Sequence, residues 1–418
     1  MGAYQIIGGT PIEGIVHIHG AKNSVLPILA ATLANGGQYI LQNCPDISDV
    51  RAAMRILRTL GCNAERFGDT IEIDSRTADR TEIPAALMCT MRAAVIFLGA
   101  LLKRFGEASI FKPGGCVLGE RPIDLHLLGL RQMGVNFVSE GEKLLCKAER
   151  LHGCTIALPF PSVGATENLL LAALGCKGEV TICNAAKEPE IGDLIAFLRS
   201  CGAEITGDDT SVLRIVGNQP MHGTQYRVMP DRMEAVTYLC AAAITGGRLR
   251  LEEVNPRHFS AVTDVLRRCG CFISESESEI ELQCESLCCV SPIITAPYPE
   301  FPTDAQAVMM ALLCVADGTS VFEETVFSNR FRHVPALCAM GADIQTTEHY
   351  AIVKGVKHLH GANVSATDLR GGAAMVLAAL CAEGESRVSD TEHIERGYAA
   401  FVSTLQSCGG QIKYTEGQ

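Results

Sequence analysis

Cys116 lies in the run Lys112-Pro113-Gly114-Gly115-Cys116-Val117-Leu118-Gly119-Glu120-Arg121-Pro122. Three glycines and two prolines in so short a stretch describe a loop with unusual backbone angles. Lys112 and Arg121 flank the thiol, and nearby positive charge favours the thiolate, the form that attacks carbon. The chain has 19 cysteines, and most free cysteines are small buried hydrophobes. Loop composition therefore leaves two readings open, a reactive thiol or a packing residue. A second group of residues has a different oddity. Lys22, Arg92 and Arg370 each open an apolar stretch that reads as a helix, and a cation there opposes the helix dipole at a cost of a few tenths of a kcal/mol. The placement makes sense if an anion sits between the cation and the helix end, because helix N-termini bind phosphate and carboxylate. Several such ends sharing one cleft would hold a substrate with several negative charges, most simply phosphates. Asp304 is the acidic exception, and a carboxylate fixed near bound anions is a candidate general base.

What places these residues is a repeat. A helix end running into glycine recurs as Leu60-Gly61-Cys62, Met133-Gly134-Val135, Cys201-Gly202-Ala203, Cys269-Gly270-Cys271, Met340-Gly341-Ala342 and Cys408-Gly409-Gly410. Successive glycines are 73, 68, 68, 71 and 68 residues apart. Each follows an amphipathic stretch with one apolar face, and glycine past the last periodic residue predicts a left-handed cap. In phase with it, a helix apolar on nearly every side runs to Gly37, Gly106, Gly178, Gly247, Gly318 and Gly384, followed each time by a short alternating strand. A helix without a polar face is a buried helix. Two signatures holding one period describe six stacked or symmetric α/β units.

Counting back from those six glycines gives the expected start of each buried helix: Lys22-Asn23, Arg92, Ser162-Val163-Gly164, Asp231-Arg232, Thr303-Asp304 and Asp368-Leu369-Arg370. Ser162, Thr303 and Thr367 are good caps, Thr303 within a capping box Thr303-Asp304-Ala305-Gln306. Asp231, Asp304 and Asp368 are open to either reading, cap or functional carboxylate. Arg396, in His393-Ile394-Glu395-Arg396-Gly397-Tyr398, would on its own read as a surface arginine.

Composition sets the outer bounds. With 418 residues, two or more domains are expected. The 47 acidic against 35 basic residues, with no basic run, argue against nucleic acid as a partner. The N-terminus, Met1-Gly2-Ala3-Tyr4-Gln5-Ile6, lacks a signal peptide's basic and apolar regions, and no apolar window is long enough to insert in a membrane. The expectation is a cytoplasmic chain with reduced cysteines. Cys269-x-Cys271 and Cys284…Cys288-Cys289 lack the paired spacing of a zinc knuckle, so no metal is expected. The oligomeric state is left open.

Ten ordered segments resemble the enolpyruvyl transferase family, nearest to its UDP-N-acetylglucosamine branch. They are Gly20-Ala21-Lys22-Asn23, Thr90-Met91-Arg92-Ala93, Pro113-Gly114-Gly115-Cys116, Arg121-Pro122-Ile123-Asp124-Leu125-His126, Ser162-Val163-Gly164-Ala165-Thr166, Asn184-Ala185-Ala186-Lys187-Glu188-Pro189-Glu190, Pro230-Asp231-Arg232, Phe301-Pro302-Thr303-Asp304, Ala366-Thr367-Asp368-Leu369-Arg370 and Arg396-Gly397-Tyr398. The resemblance implies an inside-out α/β barrel of two similar domains, each of three repeats with buried helices surrounded by sheets. One domain would be 21–229, carrying the Cys116 loop, and the other 1–20 plus 230–418, with the active site in the cleft between them. It implies transfer of the enolpyruvyl group of phosphoenolpyruvate to the 3-hydroxyl of UDP-N-acetylglucosamine, with release of phosphate and without metal or organic cofactor, as the first committed step towards peptidoglycan. By the same resemblance Cys116 donates a proton to C3 of phosphoenolpyruvate and Asp304 takes the proton of the sugar hydroxyl. Lys22, Arg121 and Arg396 hold the phosphoenolpyruvate anions, and Asn23 assists. Arg92, the run Arg121, Pro122, Ile123, Asp124 and Leu125, the run Ser162, Val163 and Gly164, and Val326 hold the nucleotide sugar, while Asp368 and Arg370 support the site.

Three positions depart from that family's pattern. Phe160 stands where a lysine is common, Ser48 where a basic residue is frequent, and Gly371-Gly372 where bulkier residues occur, which predicts a looser helix start. The related 5-enolpyruvylshikimate-3-phosphate synthases lack the Gly-Gly-Cys loop, so residues 112–122 argue against that branch. From other classes, a non-catalytic sugar-nucleotide binder and a thiol redox sensor built on Cys116 remain as alternatives.

Overall fold

The computed structural model describes residues 2–111, 123–208 and 210–416, so Cys116, Arg121 and Pro122 lie outside the described residues. The described chain divides into two compact units, 20–111 with 123–229, and 2–19 with 230–416. Both are α/β.

In the first unit the buried helices are Lys22–Ala34, Phe97–Phe105 and Val163–Ala173. From Ser24 to Ala34 every residue is buried, the outcome expected of a helix with no polar face. The Phe97–Phe105 helix packs against both of the others. Amphipathic helices Ser48–Thr59, Asp124–Gln132 and Pro189–Ser200 alternate with them in sequence. Three separate sheets complete the unit. The second unit repeats the plan with buried helices Arg232–Ile244, Gln306–Leu313 and Leu369–Cys381, which pack on one another, and three four-stranded sheets.

The helix-end signature has one physical cause in all six repeats. Gly61, Gly134, Gly202, Gly270, Gly341 and Gly409 all have φ between 92° and 100°, a region that favours glycine. The next residue's N–H returns to a leucine carbonyl five residues back each time: Leu57, Leu130, Leu198, Leu266, Leu337 and Leu405. That is the Schellman closure of a helix. The second signature is less uniform. Gly106 caps its helix directly with φ 72°, but Gly178 and Gly318 stand five residues past the helices that end at Ala173 and Leu313. There a bridge, His152 with Lys177 or Cys288 with Asp317, intervenes between helix and glycine.

Each repeat also contains a short segment before its buried helix that runs parallel to the strand after it. In three repeats this is a strand: Thr155–Ala157 beside Glu179–Cys183, Ile293–Thr295 beside Thr319–Glu324, and Asn363–Ser365 beside Glu385–Ser389. In a fourth it shrinks to a bridge between Glu82 and Ser109. The remaining two have exchanged theirs. Gly14–His17, which leads into the Lys22 helix, pairs instead with Arg248–Glu252, in the unit of 2–19 and 230–416. Gln225–Arg227, which leads into the Arg232 helix, pairs with Gln38–Gln42. Among the described residues, this exchange accounts for the passages of the chain between units at 19–20 and 229–230.

Candidate active site

In the unit spanning 20–229, Lys22 is the first residue of its helix, and Ala21 at the cap makes no side-chain bond to the helix end. The Lys22 ammonium instead meets Asp49 Oδ2 at 2.7 Å, with both side chains largely buried. Asp49 comes from the first turn of Ser48–Thr59 and was not marked by any pattern in the sequence. Gly20 is needed just before: a Cβ there would fall 1.7 Å from the Asn43 carbonyl oxygen. Asn23 is exposed. Behind it the Ser24 hydroxyl donates to Asp193, which also accepts from Tyr226 Oη at 2.7 Å and the Met229 N–H at 3.2 Å. Burial pushes the Asp193 carboxyl up from its ordinary value.

Arg92 opens a 3-10 turn, Arg92–Ile96, and the α-helix begins only at Phe97; the expected α-helical start at Arg92 is corrected to this. Ile123 caps Asp124–Gln132 and is half-buried like Leu125, while Asp124 is exposed in the first turn. Ser162 caps Val163–Ala173 and accepts the Ala165 N–H at 3.4 Å, with Val163 and Gly164 half-buried in the first turn.

Between these two starts lies a buried amide-imidazole pair. Asn168 Oδ1 accepts the Gly99 N–H at 2.5 Å, so its nitrogen must face the other way, donating to the Val95 carbonyl at 3.2 Å and to His126 Nδ1 at 2.9 Å. A ring nitrogen that accepts carries no proton, which puts the proton on Nε2. Burial, followed by the Arg92 charge, lowers the His126 pKa to about 4. A Cβ added to Gly164 would lie 3.6 Å from His126 Nε2. His126 is thus a neutral, oriented imidazole beside the Ser162–Gly164 turn.

The other unit centres on Asp304. Arg330 Nη2 reaches Asp304 Oδ1 at 3.0 Å, and Arg370 reaches Oδ2 through Nε at 3.3 Å and Nη2 at 3.2 Å. Arg330 also donates to the Thr303 carbonyl through Nε and Nη2. Both arginines are buried, while the Asp304 side chain keeps 34% of its surface. The carboxylate is held by two rigid forks and still open on one side. Arg370 Nη1 donates to Tyr398 Oη at 3.0 Å, and Tyr398 meets Thr237 at 2.8 Å. Arg330 was missed: it follows Asn329 outside either repeat signature.

The capping expectations divide. Asp231 caps through the Met233 and Glu234 N–H groups, and Asp368 through those of Arg370 and Gly371. Asp368, not Thr367, is therefore the cap of the last buried helix. The capping box at Thr303 does not form. Thr303–Ala305 is a 3-10 turn capped by Pro302 with no side-chain bond, because the Thr303 hydroxyl donates to Glu324 Oε2 at 2.9 Å. Glu324 is 1% exposed and its other oxygen accepts the N–H groups of Val326 at 2.9 Å and Phe327 at 3.1 Å. One carboxylate thereby ties the Asp304 turn to the half-buried Val326 loop.

The Gly371-Gly372 departure is not a loosening. A Cβ at 371 would meet the Asp368 carboxylate at 2.9 Å and His333 Cβ at 3.1 Å, and one at 372 would meet Ile394 Cγ1 at 2.6 Å. His333 and Ile394 occupy the room that larger residues would need, and residues Arg370 to Leu380 are buried. Arg396 follows the short helix Glu392–Glu395 and is half-buried. Ser48 opens its helix, and Phe160 is 40% exposed.

Comparison with known proteins agrees with this plan. A sequence model of the family described as EPSP synthase (3-phosphoshikimate 1-carboxyvinyltransferase) matches residues 6–405. The UDP-N-acetylglucosamine 1-carboxyvinyltransferase 2 of Caldanaerobacter subterraneus subsp. tengcongensis is 45% identical over 413 residues, 99% of both chains. The UDP-N-acetylglucosamine 1-carboxyvinyltransferase of Oleidesulfovibrio alaskensis is 44% identical over 98% of both. Among solved structures, the enolpyruvyl transferase NikO from Streptomyces tendae superposes with a TM-score of 0.90 at 26% identity, covering 100% of this chain and 99% of that one. The EPSP synthase from Acinetobacter baumannii, at 19% identity, a TM-score of 0.77 and full coverage of both chains, shares the fold. The match across residues 6–405 and the end-to-end identity of 45% leave one assignment: the chain belongs to the EPSP synthase (3-phosphoshikimate 1-carboxyvinyltransferase) family of carboxyvinyl-transferring enzymes.

Proposed function

We propose that this enzyme transfers the enolpyruvyl group of phosphoenolpyruvate to the 3-hydroxyl of UDP-N-acetylglucosamine and releases phosphate. The observation that carries this reading is 45% identity across 99% of a protein named for the UDP-N-acetylglucosamine reaction. The arrangement around Asp304 supports it. A base that takes a hydroxyl proton must be oriented and reachable, and Asp304 has both oxygens fixed by buried arginines while its side chain is one-third exposed.

In the proposed reaction Cys116 protonates C3 of phosphoenolpyruvate as the sugar oxygen adds at C2, and Asp304 accepts the hydroxyl proton. Elimination from the resulting tetrahedral ketal expels phosphate. Lys22, Arg121 and Arg396 hold the phosphate and carboxylate, with Asn23, and cations placed where charge develops stabilise the transition state. Arg92, Arg121 to Leu125, Ser162 to Gly164 and Val326 bind the nucleotide sugar. Asp368, by capping the helix that carries Arg370, fixes the fork that grips Asp304. These roles fall on residues of both units. Among the described residues no helix is long and apolar enough to cross a membrane; the proposed setting is the cytoplasm, as a step of peptidoglycan precursor synthesis.

The test is phosphate release from phosphoenolpyruvate with UDP-N-acetylglucosamine as acceptor, run beside shikimate 3-phosphate. Release with the first acceptor alone is expected; release with shikimate 3-phosphate alone would overturn the substrate assignment. Fosfomycin should also add to Cys116 in the presence of the nucleotide sugar, read as a mass increase on the intact chain.

A further inference from the structure

The unit built from 2–19 and 230–416 holds a pair of cysteines that the transfer reaction does not use. Its hairpin pairs Phe272–Glu275 with Glu279–Gln283 in antiparallel register, Phe272 opposite Gln283 and Ile273 opposite Leu282. One step further along the same ladder, Cys271 stands opposite Cys284. The Cys271 N–H donates to the Leu266 carbonyl at 3.0 Å and the Cys284 N–H to the Gly247 carbonyl at 3.2 Å. Neither bonds across the hairpin, whereas Ser276 N–H bonds the Glu279 carbonyl at the turn. Alternation from that bonded pair makes Cys271 and Cys284 a non-hydrogen-bonded pair, the kind whose Cα atoms lie about 4.5 Å apart with side chains closest. Disulfides span Cα separations of about 4.4–6.8 Å, so a bond here requires little backbone movement.

The side chains agree with the register. The Cys284 Sγ donates to the Ser286 carbonyl at 3.6 Å, and the two thiols, facing each other on the ladder, interact. That interaction lowers the pKa of the Cys284 thiol and raises that of Cys271; Cys284 is the attacking sulfur because it, and not Cys271, lines a cavity. Both residues are buried, at 5% and 1%, but Cys284 also lines a cavity of about 350 Å³ together with Leu287, Lys357, His358 and Cys381. The cavity brings solvent against the residue that carries one sulfur of the pair.

We propose that Cys271 and Cys284 form a reversible dithiol–disulfide site, oxidised by a small peroxide and separate from the Cys116 chemistry. The Cys284 thiolate attacks one peroxide oxygen, expelling hydroxide and leaving a sulfenic acid. The Cys271 sulfur then displaces that oxygen as water, forming the sulfur–sulfur bond. Two thiols lose two electrons and two protons, and the peroxide becomes two waters. The new bond closes the hairpin on itself and leaves the transferase residues in place.

The experiment treats the reduced full-length protein with hydrogen peroxide, blocks remaining thiols, and digests it without reductant using a protease that cuts after glutamate. Glu275, Glu281 and Glu285 then place Cys271 and Cys284 on different peptides. The expected product is a linked pair of those peptides, lighter than their sum by two hydrogens and separated again by dithiothreitol. Cys271→Ser should abolish it and Cys269→Ser, on the same peptide as Cys271, should leave it. Two blocked, unlinked thiols in the wild-type protein, or linkage through Cys269 instead, would overturn the proposal. The peptide readout involves no turnover, so its result stands apart from that of the acceptor assay.

Discussion

Acid should destabilise the unit carrying His126, and by an amount that follows from the geometry. The imidazole is buried with Nδ1 occupied by Asn168, and its pKa falls from 6.5 to about 4. A histidine lowered in the folded state binds its proton first in the unfolded state, so its contribution is complete above the unfolded pKa of 6.5 and is lost as pH falls towards 4. The gap corresponds to about 3 kcal/mol in full and to about 1 kcal/mol at pH 5.5. Glu167 and Asp193 in the same unit are raised by burial. A raised carboxyl is more readily protonated when folded, so these two titrate with the opposite sign and would mask the effect in wild type alone. The informative quantity is the difference from His126→Gln, whose amide oxygen can still accept from Asn168. Urea unfolding of both proteins at pH 7.5 and 5.5 should show wild type losing about 1 kcal/mol more than the variant. Equal losses, or a His126 ring resonance titrating near 6.5 by NMR, would refute the neutral Nε2–H assignment.

Other outcomes can be checked with the same protein. Cys116→Ser should abolish phosphate release while leaving UDP-N-acetylglucosamine binding intact by calorimetry; near-normal turnover removes the thiol from the mechanism. Arg330→Met releases one oxygen of Asp304 and the Thr303 carbonyl, and misplacement of a base on the order of 1 Å costs about a hundredfold in kcat; Arg330→Lys should not restore it, because an ammonium cannot span both acceptors. Glu324→Ala strands the Val326 and Phe327 N–H groups, and should raise the KM for UDP-N-acetylglucosamine by about tenfold, the effect of one charged hydrogen bond, with Glu324→Gln closer to wild type. Asp49→Ala leaves Lys22 without its carboxylate partner at 2.7 Å and should destabilise its unit by about 3 kcal/mol in urea.

What could be read from the residues alone follows the range of the interactions involved. The six helix-end glycines were legible because a Schellman closure is local: a positive φ and a bond to a carbonyl five residues back leave their mark within one turn. The buried helices were legible for a similar reason, since a helix enclosed on all sides must be apolar on all sides. The start of a helix is different, because its side chain can choose between the helix and a distant partner. Thr303 has the sequence of a capping box, yet Glu324, 21 residues on, takes its hydroxyl. Gly371 and Gly372 read as a weak helix start until His333 and Ile394 are seen filling the space. The same logic explains why Lys22, Asp304 and Arg370 were picked out while Asp49, Arg330 and Asn168 were not. The first three break a local rule, a charge where a helix end disfavours it or a carboxylate beside a rigid proline run. The partners break none: Asp49 sits well in the first turn of its own helix, and Asn168 is a polar residue within an apolar helix whose use appears only with Gly99, Val95 and His126 around it. A functional side chain is therefore visible in the sequence where it strains its own element. The residue that holds it in place becomes visible only where the folded chain brings the two together.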